Sequence, residues 1–279
     1  MSVQPKLLTV VIANNDSSAT YTTLRSISTS RYRNHEIVCV VPYMYKKLRQ
    51  QIAQDFAWVP QISSPYASVS SLLEMASARA RIIFCDAILF IESGATFATN
   101  TIHDLVLEYN RVPSYDLILP SIIRRDGGGI VHGGAQMGKW PHQLKSITDY
   151  NLSMDQPHFV GGVVLVRRAP STNYRFVDSA DDLALLYWTE GLLANGCSSH
   201  VALDVSVAYD RSLYCDFNDM MTVPGSWYAD AKRYIAKRGT WYDKLEFVVR
   251  FGWRTENGVI GRWFAQISLG RFSSKASRL

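Results

Sequence analysis

Residues 7–16 read LLTVVIANND, an apolar run followed by a polar turn. The apolar, β-branched run from Leu7 to Ala13 is typical of a parallel strand that is buried on both faces. The polar turn after it, which includes Asn14 and Asp16, carries residue types that begin a helix. The pattern therefore predicts a central strand that leads through a polar turn into a helix.

Strands and helices continue to alternate along the first half of the chain. The predicted strands are HEIVCVV (35–41) and DAILFIESG (86–94), and the predicted helices are 18–32, 45–56 and 68–80. This alternation is the pattern of a parallel sheet with right-handed crossovers. Ligands of such sheets bind beyond the carboxyl ends of the strands. We therefore expect the turns after Ala13, Val41 and Ile91 to surround one crevice.

The second half of the chain has a different texture. Its predicted elements are a helix at 101–111, strands at 116–125, 158–168 and 200–210, and a helix at 181–196. The glycine-rich stretch 126–140 favours a hairpin or a mobile loop over a site. The sequence thus predicts an α/β domain at 1–214, a linker at 215–226 and a helical C-terminal appendage at 227–279.

Two adjacent carboxylates, Asp181 and Asp182, precede the apolar helix pattern LALLYWTEGLLANG. A helix N-terminus has unpaired N–H groups and the positive end of the dipole, so it holds carboxylates ionised and oriented. Such a carboxylate can accept a proton from a hydroxyl group. Asp182 is our candidate for that role, and capping of the helix is the alternative for either residue.

The net charge of +5 is concentrated at the C-terminus. Residues 227–279 contain eleven Lys and Arg against four Asp and Glu, together with four of the seven tryptophans. Basic residues interleaved with aromatic ones fit a helix at a membrane surface. Packing on the domain and an oligomer interface are the alternatives, and the slightly negative remainder of the chain argues against nucleic acid.

Neither a metal framework nor a membrane span is evident in the sequence. The four cysteines are scattered without CxxC spacing, and Cys39 and Cys85 lie in apolar runs typical of a core. The chain has no run of 18 apolar residues and its N-terminus lacks a signal-peptide pattern. We expect a cytoplasmic protein, either free or peripheral on the inner face of the membrane.

The order of these motifs resembles that of family 2 glycosyltransferases with the GT-A fold, particularly bacterial rhamnosyltransferase-like members that build surface polysaccharides. The resemblance covers roughly residues 7–212. It depends on LLTVVIANND, on ILFIESG in the place of a strand ending in Asp-x-Asp, on the Asp-Gly turn and glycine loop of 126–140, on HFVGGVVLVRRA and on the acidic start of the 181–196 helix.

The resemblance implies transfer of a sugar from a nucleotide-sugar donor to a hydroxyl of a saccharide or lipid-linked acceptor, with inversion. Asp182 matches the position of the general base, with Asp181 beside it. Six residues at the strand ends would bind the nucleotide sugar: Ala13, Asn14, Asp16, Val41, Glu92 and Ser93.

The family normally uses a divalent metal, Mg²⁺ or Mn²⁺, held by the Asp-x-Asp. This chain has Glu92, Ser93 and Gly94 at that place, which leaves one carboxylate. Glu92 and Asp210 are the candidate ligands, but a hard divalent ion with so few carboxylates binds weakly. The replaced Asp-x-Asp therefore argues against metal dependence, and a non-catalytic binding or scaffolding module is the alternative function.

Four further residues are candidates for the acceptor side or for a loop over the site. His132 lies within the glycine-rich stretch and could reach a substrate from a flexible loop, and a plain surface position is the alternative. Trp140 could stack on a sugar ring or pack in the core. Gly161 and Gly162 lie where a strand usually has side chains, which indicates close approach of a ligand or of another backbone.

Overall fold

The structure is a computed structural model, and the residues that it describes all lie in the first of two units, Met1–Cys215. They are residues 4–14, 16–65, 67–125, 130–132, 135–137, 144–146, 162–168, 175–176 and 184–209. The predicted linker at 215–226 and appendage at 227–279 lie outside them, so these boundaries stay predictions.

The described chain forms strands and helices in the predicted alternation. The strands are β1 (Leu7–Ile12), β2 (His35–Val40), β3 (Gln61–Ile62), β4 (Ala87–Glu92), β5 (Ala95–Thr96), β6 (Leu117–Arg124), β7 (Ile130–His132), β8 (Ala135–Met137), β9 (Leu144–Ser146), β10 (Val163–Arg167) and β11 (Ser199–Tyr209). The helices are α1 (Ser17–Ser28), α2 (Lys46–Asp55), α3 (Val69–Ile82), α4 (Thr101–Arg111) and α5 (Ala184–Ala194).

One large sheet organises these elements, in the order β3-β2-β1-β4-β10-β6-β11-β5, and β7 pairs with β6. Strands β1, β2, β3 and β4 pair in parallel, and β6 and β11 run in the same direction as they do. Strand β10 lies antiparallel between β4 and β6. The predicted mostly parallel α/β fold is confirmed.

The sheet is central because its strands are apolar on both faces. In β1, Leu7, Leu8, Val10 and Val11 have no exposed surface, and Thr9 is the buried polar exception. Cys39 and Cys85 are also fully buried, which confirms their prediction as core residues. Such two-sided burial is what a parallel sheet covered by helices on both faces requires.

Helix α5 covers one face of the sheet through its aromatic residues. The ring of Trp188 lies 5.2 Å from that of Phe90 in β4 and stacks on Phe176 at 4.5 Å. Four residues join the end of α5 to the start of β11, which pairs with the amino-terminal end of β6 at Leu117. Because this connection is so short, the opposite end of α5, at Ala184, points toward the carboxyl ends of the parallel strands.

The predictions missed the shortest elements. Strands β3 and β5 have two residues each, too few for a periodic pattern. The predicted hairpin in 126–140 is partly described: β7 pairs with β6, and β8 pairs with β9 in a separate two-stranded sheet. Within the described residues, no helix has the length and apolar character needed to cross a membrane.

Candidate active site

The polar turn after β1 lies at the carboxyl edge of the sheet and is fixed by its own hydrogen bonds. Asp16 caps α1, since its Oδ1 accepts from the N–H groups of Ser18 and Ala19 at 3.0 and 3.3 Å. The side-chain oxygen of Asn14 accepts from the N–H of Asp16 at 2.9 Å. Asn14 and Asp16 therefore hold the turn in shape, and Asn14 remains partly exposed.

Glu92 ends β4 directly beside this turn, because it pairs with Ile12 at the end of β1. Its Oε2 accepts from the N–H of Gly162 at 2.9 Å and from the hydroxyl of Tyr209 at 3.4 Å. The N–H of Glu92 in turn donates to the carbonyl of Gly162 at 2.8 Å. The carboxylate thus joins the carboxyl ends of β4 and β11 to the residue that precedes β10.

The two residues after Glu92 are tied to α1 by buried hydroxyl groups. The hydroxyl of Ser93 donates to the carbonyl of Ile12 at 2.7 Å and lies 2.9 Å from that of Thr20. The N–H of Gly94 donates to the hydroxyl of Thr23 at 3.0 Å. Ser93 is 3% exposed, so little of its surface is available to a ligand.

Gly94 occupies the last position of the Asp-x-Asp place in a conformation that suits glycine. Its φ is +108°, and a Cβ built on it would lie 3.3 Å from the ring of Tyr209. L-residues rarely adopt such a φ. A carboxylate at this position would therefore strain the backbone and crowd Tyr209.

The end of β2 presents aromatic and apolar side chains. Val41 is fully buried, and Ala13 at the end of β1 is almost fully buried. A nucleotide could therefore contact these two residues only through their backbone. Tyr43 and Met44, which follow, are 48% and 79% exposed. The guanidinium of Arg49 on α2 lies 4.4 Å from the centroid of the Tyr43 ring.

The described residues do not form a metal site. No three His, Cys, Asp or Glu side chains gather anywhere in the described part of the chain. At the carboxyl edge, Glu92 is engaged by Gly162 and Tyr209, and Asp16 by the first turn of α1. Asp210, the second predicted ligand, lies outside the described residues.

Several other predicted residues also lie outside them: Asp181, Asp182, Trp140 and Gly161. For His132 the structure describes the backbone of β7, which pairs with Ile122 of β6. Gly162 is described with φ +90°, and a Cβ on it would lie 3.0 Å from Cδ1 of Ile122. Its close neighbours in the structure are thus the Glu92 carboxylate and a core side chain.

Sequence reasoning did not assign roles to Thr20, Thr23, Tyr43 or Arg49. Thr20 and Thr23 lie three residues apart in α1, a spacing that places them on one helix face. That signal could have shown that they face the sheet with Leu24 and Ile27. No comparable local signal links Arg49 to Tyr43.

The strand order defines a mostly parallel α/β sheet whose polar turns gather at its carboxyl edge. Solved structures with similar folds include S. aureus TarS and a mannosyltransferase. S. aureus TarS 1-349 superposes with a TM-score of 0.57 at 12% identity, over 88% of this chain and 75% of that chain. Its complex with UDP-GlcNAc gives 0.55 at 14%, over 83% and 66%.

A mannosyltransferase, PcManGT from Pyrobaculum calidifontis in complex with GDP-Man and Mn²⁺, gives a TM-score of 0.52 at 11% identity, over 100% of this chain and 77% of that one. No protein-family model and no curated protein matches the sequence. At these identities the likeness concerns the fold. The predicted GT-A fold is confirmed, and the narrower rhamnosyltransferase-like resemblance stays a prediction.

Proposed function

We propose that this protein is a nucleotide-sugar glycosyltransferase that moves a sugar to a hydroxyl of a saccharide or lipid-linked saccharide. The observation that carries the proposal is the fold, which is similar to those of TarS with UDP-GlcNAc and PcManGT with GDP-Man. An inverting, hexosyltransferase-like reaction and a rhamnosyltransferase-like role in surface polysaccharide synthesis are the narrower form of the proposal.

Asp182 is the proposed general base. It precedes Ala184, the first residue of α5, by two positions, and this end of α5 points toward the edge of the sheet where Glu92 lies. The helix dipole favours an ionised carboxylate at this end. In the proposed step, the carboxylate of Asp182 takes the proton of the acceptor hydroxyl. The oxygen of that hydroxyl attacks the anomeric carbon of the donor sugar, in line with the departing nucleotide.

The donor would bind along the edge formed by the ends of β1, β2 and β4. The ring of Tyr43 is half-exposed and is in contact with the guanidinium of Arg49. It offers a surface on which the nucleobase could stack. Asn14, a partly exposed polar residue, follows β1, which lies between β2 and β4 in the sheet. Glu92 itself would position the turn after β4 rather than take part in proton transfer.

No step of this mechanism is assigned to a metal. PcManGT is described with Mn²⁺, but the described residues of this chain do not fit such an ion. A pair of Glu92 and Asp210 stays a proposal, supported by the position of Asp210 directly after Tyr209. Without a metal, the negative charge of the leaving diphosphate would be met by cations, for which Arg124, Arg125, Lys139 and Arg211 are the candidates.

Replacement of the base tests the enzymatic proposal. With a panel of UDP- and GDP-sugars and saccharide acceptors, Asp182→Asn should lower kcat by roughly a hundred-fold or more, because proton transfer is lost. The matched control is Asp204→Asn, which removes an exposed carboxylate of β11. Both variants should unfold at the wild-type temperature. A near-normal rate for Asp182→Asn would remove Asp182 from its assigned role.

A non-catalytic binding or scaffolding module is the second candidate. It is favoured by Gly94, whose φ of +108° and contact with Tyr209 leave the Asp-x-Asp place without its second carboxylate. Calorimetric titration with UDP, GDP and their sugars, with and without Mn²⁺, separates the two functions. Saturable binding supports the enzyme, and silence across the panel supports the scaffold.

Contact of the C-terminal appendage, the tail of residues 227–279, with a membrane surface or with a second copy of the chain is also a proposal. It is supported by the charge and tryptophan content of these residues. Localisation in the cytoplasm, with or without membrane association, belongs to the same proposal. Truncation after Ser226 followed by flotation with anionic liposomes tests it. Binding that persists after truncation would exclude the tail as the anchor.

A further inference from the structure

A cavity of about 490 Å³ opens beside the amino-terminal half of β2, at the opposite end of this strand from the candidate active site. Its walls include Arg33, His35, Glu36, Trp58 and Arg79. The distance from Glu36 to Val41, the residue that follows β2, is roughly 17 Å for an extended chain. The cavity therefore cannot be part of the donor-binding edge.

Among the described residues, the outer edge of β2 is only partly covered, and the cavity lies beside the uncovered part. Strand β3 pairs with Cys39 and Val40 alone. The N–H of Cys39 donates outward to the carbonyl of Pro60 at 2.9 Å, and alternate residues of a strand direct their N–H groups to the same side. The backbone of Ile37, which also lines the cavity, therefore faces this open edge.

Trp58 forms an aromatic wall of the cavity. Its side chain is 54% exposed, and the ring of Phe56 contacts it edge-on at 6.4 Å. Phe56 itself is buried in the core, so it anchors the segment that carries the indole. An exposed indole at the wall of a cavity offers a flat apolar surface of the kind that packs against the C–H face of a sugar ring.

The charged groups of the cavity differ in how far they are already satisfied. Arg79 and Glu36 form an ion pair with each other. Arg33 is exposed and forms no ion pair with another described residue. The ring of His35 lies 3.1 Å from the hydroxyl of Thr9 through Nδ1, and burial followed by the charge of Arg33 lowers the pKa of His35 to about 4. At neutral pH the cavity thus carries one cation in excess.

We propose that this cavity binds an acidic saccharide, with a sugar ring against Trp58 and a carboxylate of the ligand paired with Arg33. The neutral imidazole of His35 and the planar groups of Glu36 and Arg79 supply further hydrogen-bonding partners for hydroxyl groups. The ligand is a saccharide chain in which carboxylates and hydroxyls alternate along the polymer, such as a polyuronate.

The assignment of this saccharide as a remote part of the acceptor or product rests on the proposed glycosyltransferase function. A saccharide chain that reached from the cavity to the carboxyl edge would have to span roughly 17 Å. Binding at the cavity would then hold a growing polymer near the site without contact to the reacting atoms.

Titration of the full chain with two hexasaccharides tests the proposal. Isothermal calorimetry with hexagalacturonate and with maltohexaose compares an acidic with a neutral ligand of similar length. The wild type should bind hexagalacturonate more tightly. Trp58→Ala should weaken that binding roughly ten-fold or more, because the stacking surface is lost. Arg33→Gln should weaken it by a similar factor and leave the weak binding of maltohexaose unchanged.

Two matched variants control for general effects. Arg31→Gln removes an exposed cation two residues from Arg33 that does not line the cavity, and Phe84→Ala removes an exposed aromatic ring elsewhere. Both should bind hexagalacturonate as the wild type does. The thermal unfolding of each variant shows whether it is folded.

The proposal is overturned if hexagalacturonate fails to bind at roughly 10 mM, if both hexasaccharides bind equally, or if Trp58→Ala and Arg33→Gln bind as tightly as the controls. Turnover of UDP- and GDP-sugars by the same proteins is measured separately. If no saccharide binds but turnover is intact, the proposal about the cavity is rejected and the transferase proposal stands. If the saccharide binds but no turnover is seen, the transferase proposal is rejected and the proposal about the cavity stands.

Discussion

The carboxyl edge of the sheet and its amino-terminal edge beside β2 are held together by different kinds of contact. At the carboxyl edge, Glu92, Ser93 and Gly94 are held by backbone groups and by the buried hydroxyls of α1. At the amino-terminal edge, Arg33, Trp58 and Arg79 extend from the surface around an open cavity. The first arrangement fixes geometry before any ligand binds, and the second consists of more exposed side chains that can adjust to one.

This difference separates two kinds of substitution. A change at the carboxyl edge disturbs packed atoms and therefore lowers stability together with any activity. A change at the cavity removes exposed atoms and should alter binding with little effect on folding. Measurements of stability can thus test the comparison before a substrate is known.

The largest effect is expected at Gly162. Gly162→Ala forces a Cβ into a backbone with φ +90° and within 3.0 Å of Ile122. The φ strain costs about 1–2 kcal/mol and the crowding about 1 kcal/mol or more, so the free energy of unfolding should fall by about 2–3 kcal/mol in urea titrations.

Gly196→Ala is the matched control, since Gly196 has φ +88° and a Cβ on it would meet nothing within 4 Å. Its cost should be the strain alone, about 1–2 kcal/mol. Equal losses in the two variants would mean that the carboxyl edge yields around the new methyl group. The contrast between a rigid and an adaptable edge would then be broken.

A smaller, pH-dependent effect is expected at His35. Its pKa is lowered to about 4 in the folded protein, first by burial and then by Arg33. Between pH 6.5 and 4 the unfolded chain therefore binds a proton that the folded chain does not, so stability falls as the pH falls. This contribution is about 1–2 kcal/mol after allowance for partial exposure.

His35→Gln should remove that part of the acid destabilisation, as measured by urea unfolding at pH 7, 5.5 and 4. His103→Gln, which replaces a histidine of α4, should keep the wild-type slope. An unchanged slope in His35→Gln would show that His35 is hydrated enough to titrate normally. The cavity wall would then be more open than its hydrogen bond to Thr9 indicates.

The smallest effect is expected for the ion pair of Arg79 and Glu36. The two side chains are 40% and 28% exposed, and such pairs contribute under about 1 kcal/mol. A double-mutant cycle with Arg79→Gln and Glu36→Gln, repeated in 0.5 M NaCl, measures the coupling. A coupling above about 1.5 kcal/mol that resists salt would contradict the description of the cavity as an adaptable surface.

Much of the fold could be predicted because its signals are local. The β-branched run of β1 and the apolar run of β4 indicate buried strands, and Asp16 marks the start of α1 by a side-chain bond that spans two or three residues. Strands β3 and β5 escaped prediction because two residues have no period. Strand β3 forms by pairing with β2, and β5 forms by pairing with β11. Both partners belong to other segments of the chain.

The candidate site was predictable in part. The sequence indicated that the ends of β1 and β4 would meet, and the pairing of Ile12 with Glu92 confirms it. It did not indicate that Arg49 would stack on Tyr43, or that the ring of Tyr209 would pack against Gly94. These contacts depend on how separate elements are oriented, and residue types along one segment do not encode that orientation.

The alternation of elements, the apolar core strands, the basic and aromatic C-terminus and the single carboxylate in residues 92–94 can all be read from the amino-acid sequence. The contacts of Glu92 with Gly162 and Tyr209, which follow it by 70 and 117 residues, and the edge of β2 that the described residues leave open beside Trp58 are visible only in the folded chain. Strand and helix patterns can be read in advance because they arise from near neighbours. Hydrogen bonds across the sheet and gaps at its edge arise from the packing of distant segments.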